Sequence, residues 1–279
     1  MAEKNQDRNN LSAFQEQLVI EEKSPLTIEK YLRDTRQFLN FSNGDRITKE
    51  LTVRYKQHLQ EQNYAIRSIN SMLTSINHFL DFLGRTDCKV KTLRSQRQIY
   101  CPEEKELTKA EYLRLLEASR PYPQLNHIIQ TICGTGIRVS ELKYFTVEAI
   151  RYGEVSVSCK NKTRMILVPG KLRKMLLDFA KKHQIKKGTI FRTKFGNPVD
   201  RSNIWAQMKR LCKAANINPS KVFPHNLRKL FARTFYKIEK DIAKLADILG
   251  HTSVETTRIY IMSTGHEHRQ KIERLGLVI

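Results

Sequence analysis

Between Leu11 and about Leu83 the apolar residues fall at three- and four-residue steps: Leu11, Phe14 and Leu18, then Ile28, Tyr31, Leu32, Phe38 and Leu39. A helix turns once in about 3.6 residues, so this spacing gathers the side chains on one face and predicts amphipathic helices. Two more are predicted, one near Thr48–Gln60, where Thr48 can cap the first turn, and one near Ile66–Leu83, which Gly84 ends. Four helices in about 80 residues make a small all-α domain.

The periodicity fails from Arg85 to Lys105, a basic stretch with few large apolar groups, read as a connector. Helical spacing resumes at Thr108, where Glu111 completes a capping box ahead of Leu115 and Leu116. The domain boundaries are therefore set at 1–92, a linker 93–105, and 106–279. In the second domain EVSVSC (154–159) and RMILV (164–168) read as two strands of a β-hairpin, with Asn161 and Lys162 at its turn. Lys171–Lys182, Ser202–Ala215, Asn226–Tyr236, Ile242–Leu249 and Thr252–Tyr260 carry helical spacing.

Charge changes the picture most. The chain has 50 Lys and Arg against 28 Asp and Glu, a formal charge of +22 spread along its length. Solubility asks for far less, and a polyanionic partner such as nucleic acid is implied. Hydrophobic residues at 40% are enough for real cores. Five cysteines with no CxxC pair speak against a disulfide framework or a zinc knuckle and fit a reducing cytoplasm. No run approaches the ~18 apolar residues of a membrane span, and the N-terminus carries no targeting pattern.

Three segments carry candidate chemistry. In GTGIRVSEL (134–142) two glycines lead into a helix with Arg138 in its first turn and Glu141 three residues on. A guanidinium there can present a rigid fork of donors to a phosphate. GTG alone lacks the third glycine and the βαβ setting of a dinucleotide loop. In PHNLRKLFART (224–234) Pro224 opens a helix, and His225 and Arg228 share one face, which Phe231 and Phe235 continue into the core. In LGHTSVETTRIYI (249–261) His251 follows a Gly-terminated helix and Tyr260 stands nine residues later, where nearby cations could ease formation of its phenolate. Taken singly, these are a surface ion pair, a helix start and a packing tyrosine.

In order and separation, however, TGIRVSEL, HNLR and LGHTSVETTRIY resemble the three signature boxes of the tyrosine recombinase, or phage integrase, family. The resemblance covers about the last 170 residues in detail and the N-terminal helices more loosely. It implies a mainly α fold with a small β-hairpin: a four-helix, SAM-like core-binding domain followed by a tyrosine-recombinase catalytic domain. It also implies that Arg138, His225, Arg228, His251 and Tyr260 are catalytic, with Glu141 orienting Arg138. The family's sixth residue is a lysine on a hairpin between the first two boxes; Lys160 resembles it, and Lys162 is the alternative. Many relatives have a second histidine where this chain has Lys229. Lys229, Lys162 and Arg164 are expected to contact DNA.

The implied reaction is attack of Tyr260 on a DNA phosphodiester, leaving a 3′-phosphotyrosine and a free 5′-hydroxyl, which later attacks the same bond from another strand. Arg138 and Arg228 would hold the non-bridging oxygens, Lys160 would protonate the leaving oxygen, His225 would move a proton near Tyr260, and His251 would donate a hydrogen bond to the phosphoryl group. Bond energy is conserved, so neither ATP nor another cofactor is expected. No metal-ligand spacing is present, and His266 and His268 lie in a polar tail. The terminal LGLVI (275–279) resembles the family's segment that docks into a neighbouring protomer, implying a tetramer on double-stranded DNA. A chromosome-dimer resolvase and a mobile-element integrase share all these boxes. The competing readings are a type IB topoisomerase, which shares the constellation, and a DNA-binding repressor.

Overall fold

Four helices form where the apolar spacing places them: α1 (Ala2–Ile20), α2 (Pro25–Ser42), α3 (Lys49–Glu61) and α4 (Ile66–Phe82). The structure is a computed structural model and describes residues 2–94, 102–159, 162–262 and 265–277. Ser24 caps α2 by accepting from the Thr27 amide, with Pro25 in the first turn, and Thr48 caps α3 by accepting from Leu51. The apolar faces meet in one core containing Phe14, Leu18, Phe38, Leu59, Leu73, Ile76 and Phe79. Each such side chain, fully buried, contributes roughly 1.5–3 kcal/mol.

The basic stretch after α4 is not free over its first part. Cys88 and Val90 are buried. The Asn77 side chain accepts from the Val90 amide at 3.0 Å and donates to its carbonyl at 2.8 Å, and Asn70 does the same for Leu93 at 2.7 and 2.9 Å. Two amide side chains thus pair with extended backbone as a neighbouring strand would. The chain divides into two compact units, Met1–Arg97 and Gln98–Ile279.

The second unit opens with α5 (Lys109–Ala118), whose Thr108–Glu111 capping box is formed as expected. It continues through α6 (Pro123–Thr135), a 3-10 helix (Val139–Tyr144), α7 (Val147–Tyr152), the strands β1 (Glu154–Cys159) and β2 (Lys162–Leu167), α8 (Gly170–Lys182), α9 (Arg201–Ala215), α10 (Pro224–Glu239), α11 (Ile242–Leu249), α12 (Val254–Ile261) and α13 (Gly265–Glu273). Helix α6 lies against α10 and α8, and its Leu125, Ile128, Ile129 and Ile132 are buried in the main core with Phe145, Phe191, Met208 and Leu227. The strands pair antiparallel, with Val157 opposite Arg164 and Cys159 opposite Lys162. No helix among the described residues is long and apolar enough to cross a membrane.

Several elements depart from the sequence reading. Helix α6 was not foreseen: its isoleucines are β-branched and disfavour helix slightly, but burying one complete face outweighs that preference. Helices α7 and α13 are likewise additions; α13 buries no residue, so apolar spacing carries no signal for it. Lys162 starts β2 instead of occupying the turn, because the ladder closes between Cys159 and Lys162. Arg138 stands at the N-cap of a 3-10 helix and not in the first turn of an α-helix. Helix α12 starts at Val254 after a Ser253 cap, two residues beyond Thr252.

One glycine sets the direction of the chain as it enters the first box. Gly136 ends α6 at φ +66°, and a Cβ there would lie 2.3 Å from the Phe231 ring. Gly188 has a similar φ of +78° but nothing within 4 Å. Gly188→Ala should therefore cost only the left-handed backbone penalty, about 1–2 kcal/mol. Gly136→Ala should lose a further ~1–3 kcal/mol through overpacking. Urea denaturation of the two variants checks this, and equal losses would contradict the packing role of Gly136.

Candidate active site

The three boxes converge on the C-terminal end of α11. Gly136 accepts at its carbonyl from Arg228 Nη1 at 2.5 Å, so α10 is tied to the turn that carries Arg138. Arg228 Nη2 donates to the Leu249 carbonyl at 2.7 Å and to His251 Nε2 at 3.0 Å. Arg138 donates from Nη2 to the Gly250 carbonyl at 3.1 Å, and Arg164 donates from Nη1 to the Ile248 carbonyl. Three successive carbonyls, at Ile248, Leu249 and Gly250, thus each receive a different arginine. Carbonyls at a helix C-terminus lack intrahelical donors and carry the negative end of the helix dipole, which is why cations gather there.

One carboxylate serves the same cluster. Glu141 is buried, and its Oε2 accepts from the Arg138 amide at 2.7 Å and from Arg164 Nη2 at 2.6 Å, while its Oε1 accepts from Arg138 Nη1 at 3.0 Å. Two guanidinium groups bond this one acid and Arg228 lies beside them, which leaves the site strongly positive. Arg228 is 1% exposed; burial, then the charge of Arg138, pushes its pKa down to about 10, so it stays protonated at neutral pH. Its Nε has no hydrogen-bond partner among the described residues. Arg138, more open, faces a cavity of about 320 Å³ whose lining includes Ser140, Arg201, Trp205, His225 and Arg228.

The histidines are held neutral. His251 Nε2 accepts from Arg228, so its proton is on Nδ1, which lies 2.8 Å from the hydroxyl of buried Thr257 on α12. Burial, followed by the charges of Arg228, Arg138 and Arg164, depresses its pKa to about 4. His225, in the first turn of α10, is likewise depressed to about 4 by partial burial of its ring, with Lys229, Arg228, Arg138 and Arg201 adding to the effect. It keeps an exposed edge at the cavity, where solvent tempers that shift.

Tyr260 sits in the last turn of α12, 9% exposed. Its ring meets the His225 ring edge-on, with centroids 5.0 Å apart at 67°, and lies 4.8 Å from the His251 ring. The Arg228 guanidinium carbon is 5.8 Å from its centroid. Tyr260 belongs to a small apolar cluster with Ala232, Leu245 and Leu249, against which Phe231 and Phe235 pack, separate from the main core.

Arg138, Glu141, His225, Arg228, His251 and Tyr260 are thus brought together. Lys160 falls outside the described residues, and Lys162 is placed only as the first residue of β2. Lys229 is half-buried on α10 beside His225. Arg164, expected on DNA, is turned inward onto Glu141 and α11. The sequence reading missed Thr257, which fixes the His251 ring; it lies three residues before Tyr260 on the same helical face, a spacing that offered the signal. It also missed Arg201 and Trp205 at the cavity wall. Among the described residues no cluster of three or more His, Cys, Asp or Glu could hold a metal.

Residues 105–267 match the phage integrase family, and residues 11–87 match the phage integrase N-terminal SAM-like domain. The chain is 28% identical to tyrosine recombinase XerA of Pyrococcus furiosus, an alignment spanning 100% of this chain and 98% of that protein. It is 30% identical to tyrosine recombinase XerD of Halalkalibacterium halodurans, spanning 90% and 92%. A crystal structure of XerA recombinase superposes with a TM-score of 0.54 at 27% identity, covering 96% of this chain and 98% of that one. A lambda integrase tetramer bound to a Holliday junction shares the fold, with a TM-score of 0.72 at 16% identity over 91% and 76%. Matched in both of its units, the chain belongs to the phage integrase family of tyrosine recombinases, enzymes that cleave and rejoin DNA strands.

Proposed function

We propose that this protein is a site-specific DNA recombinase in which Tyr260 is the nucleophile and Arg138, Arg228, His225 and His251 form its catalytic pocket. The observation that carries this reading is the direct bonding of the second box to the other two: Arg228 bonds the Gly136 carbonyl on one side and His251 on the other, beneath the Tyr260 ring. A phosphodiester placed in the cavity would meet fixed cations at its non-bridging oxygens, and preorganised donors of this kind are typically worth about 3–4 kcal/mol each in the transition state. Neutral His225, in ring contact with Tyr260, is suited to take the phenol proton. Neutral His251 is oriented by Thr257 and would bind the phosphoryl group once its Nε2 is released or protonated. Lys160 is assigned the proton for the departing 5′ oxygen, with Lys162 as the alternative.

Double-stranded DNA is the substrate assigned, which accords with the charge of +22, and a cytoplasmic, nucleoid-associated setting follows from that substrate. Assembly as a tetramer on DNA is assigned to the C-terminal segment, where Leu275 and Leu277 are exposed. The relatives named above are recombinases and an integrase, and no feature of the site favours a topoisomerase or a repressor over them.

With a suicide DNA site, the wild-type protein should form a covalent complex that survives denaturation, and Tyr260→Phe should form none. Persistence of the complex in that variant would falsify the role given to Tyr260. Removal of residues 270–279 should leave single-site binding intact and weaken cooperative binding to a full site in a gel-shift titration; unchanged cooperativity would exclude the docking role.

The histidine pKa values predict the pH response. The imidazoles titrate near 6.5 when unfolded and near 4 when folded, so the unfolded chain binds more protons between these limits. Stability from these groups is complete above about pH 6.5 and is lost as pH falls toward 4. In an NMR titration the His225 and His251 ring resonances should keep their neutral positions from pH 8 to about 5.5 and shift near 4. Midpoints near 6.5 would contradict the neutral site.

A further inference from the structure

We propose that Arg164 is a positioning residue for strand cleavage: it fixes the Glu141 carboxylate and the end of α11 so that Arg138, Arg228 and His251 hold their geometry. The inference rests on the recombinase reading above. Arg164 is the middle of a bridge from β2 to both sides of the pocket. One Nη donates to Glu141 Oε2 at 2.6 Å and the other to the Ile248 carbonyl. The side chain is only 15% exposed, and its Nε is buried with no hydrogen-bond partner among the described residues. Both terminal nitrogens therefore have protein acceptors, and little of the guanidinium faces solvent. A DNA phosphate contact needs the opposite arrangement.

The local backbone is shaped around this side chain. Gly250 adopts φ +63°, and a Cβ there would stand 2.5 Å from Arg164 Cδ and 2.7 Å from Nε. The glycine that turns the chain from α11 to His251 thus also makes room for Arg164. Across the ladder Arg164 lies opposite buried Val157, so its anchor is the inner face of the hairpin. The same hairpin bears Lys160 and Lys162 in its sequence, and Arg164 is the described side chain that bonds it to the box-three loop.

Two consequences follow from removing this guanidinium. Glu141 Oε2 would lose its side-chain donor and keep only the Arg138 amide, leaving the carboxylate freer to rotate and Arg138 less constrained. The end of α11 would keep two of its three arginines, two residues before His251 leaves for the pocket. Misplacement of reacting groups by about 1 Å typically costs on the order of 100-fold in rate. Lysine cannot replace the fork, because a single ammonium does not match two acceptors set apart in a fixed plane.

The test is single-turnover formation of the covalent complex on a suicide site, paired with DNA affinity measured over a salt series, for wild type and Arg164→Lys. The expected result is an unchanged Kd and salt slope with cleavage slowed roughly 100-fold at saturating DNA. In an Glu141→Gln background the same substitution should slow cleavage much less, since the two act through one bond. In Arg164→Gln, which removes the charge, weaker binding with a salt slope reduced by about 1, and normal cleavage at saturation, would make Arg164 a phosphate contact and overturn the proposal. Normal binding with normal cleavage would also overturn it. If Arg164→Lys does not fold, Arg164→Gln, which retains a donor of similar reach, carries the same comparison. A wild type that forms no covalent complex rejects the recombinase reading itself, an outcome separate from either of these.

Discussion

The guanidinium of Arg228 is almost wholly removed from water, and the arrangement of the catalytic unit follows from what that requires. A buried cation is costly unless it finds acceptors or an opposite charge. Here its terminal nitrogens find carbonyls at the ends of two helices, Gly136 closing α6 and Leu249 closing α11, together with a neutral histidine. Helix termini offer such carbonyls without disrupting secondary structure. The arginine can therefore be buried only if α6 and α11 end where α10 begins, which ties its burial to the assembly of the pocket.

Burial and charge together set the protonation of the two histidines beside Arg228. Glu141 bonds two of the three arginines, Arg138 and Arg164, so the pocket holds a surplus of fixed positive charge in a poorly solvated place. That surplus adds to burial in keeping His225 and His251 in their neutral forms, and it suits a site meant to receive a phosphodiester anion. One environment thus keeps two imidazoles neutral beside the Tyr260 ring.

Mechanical support for the Tyr260 ring is distinct from the main core. Tyr260, Ala232, Leu245 and Leu249 form a small apolar cluster, buttressed by Phe231 and Phe235, that joins α10, α11 and α12. The large core on the other side fastens α6 to α8 and α10 and so places Arg138 and Arg228. The pocket lies where the two clusters meet, and Gly136 lets them approach: its missing Cβ admits the Phe231 ring.

Much was legible from residue order. Helical spacing located α1 to α5 and α8 to α12, turn chemistry gave the Thr48 and Thr108 caps, and the three boxes named the residues that meet in the pocket. Those features depend on neighbours a few residues apart, where period and capping act directly. The sequence did not disclose α6 as a helix, the inward turn of Arg164, or the service of Thr257 to His251. The neutral state of the histidines was equally hidden. Each depends on groups distant along the chain: an isoleucine-rich segment becomes helical because another helix covers it, and an arginine on a strand turns inward because a carboxylate and a helix end wait there. The sequence by itself determined which residues could make a phosphate-binding pocket, because type and local spacing are properties of a segment. Only the tertiary structure decided which arginines are buried, what they bond and which protons the pocket retains, because burial and through-space charge exist only once the segments have met.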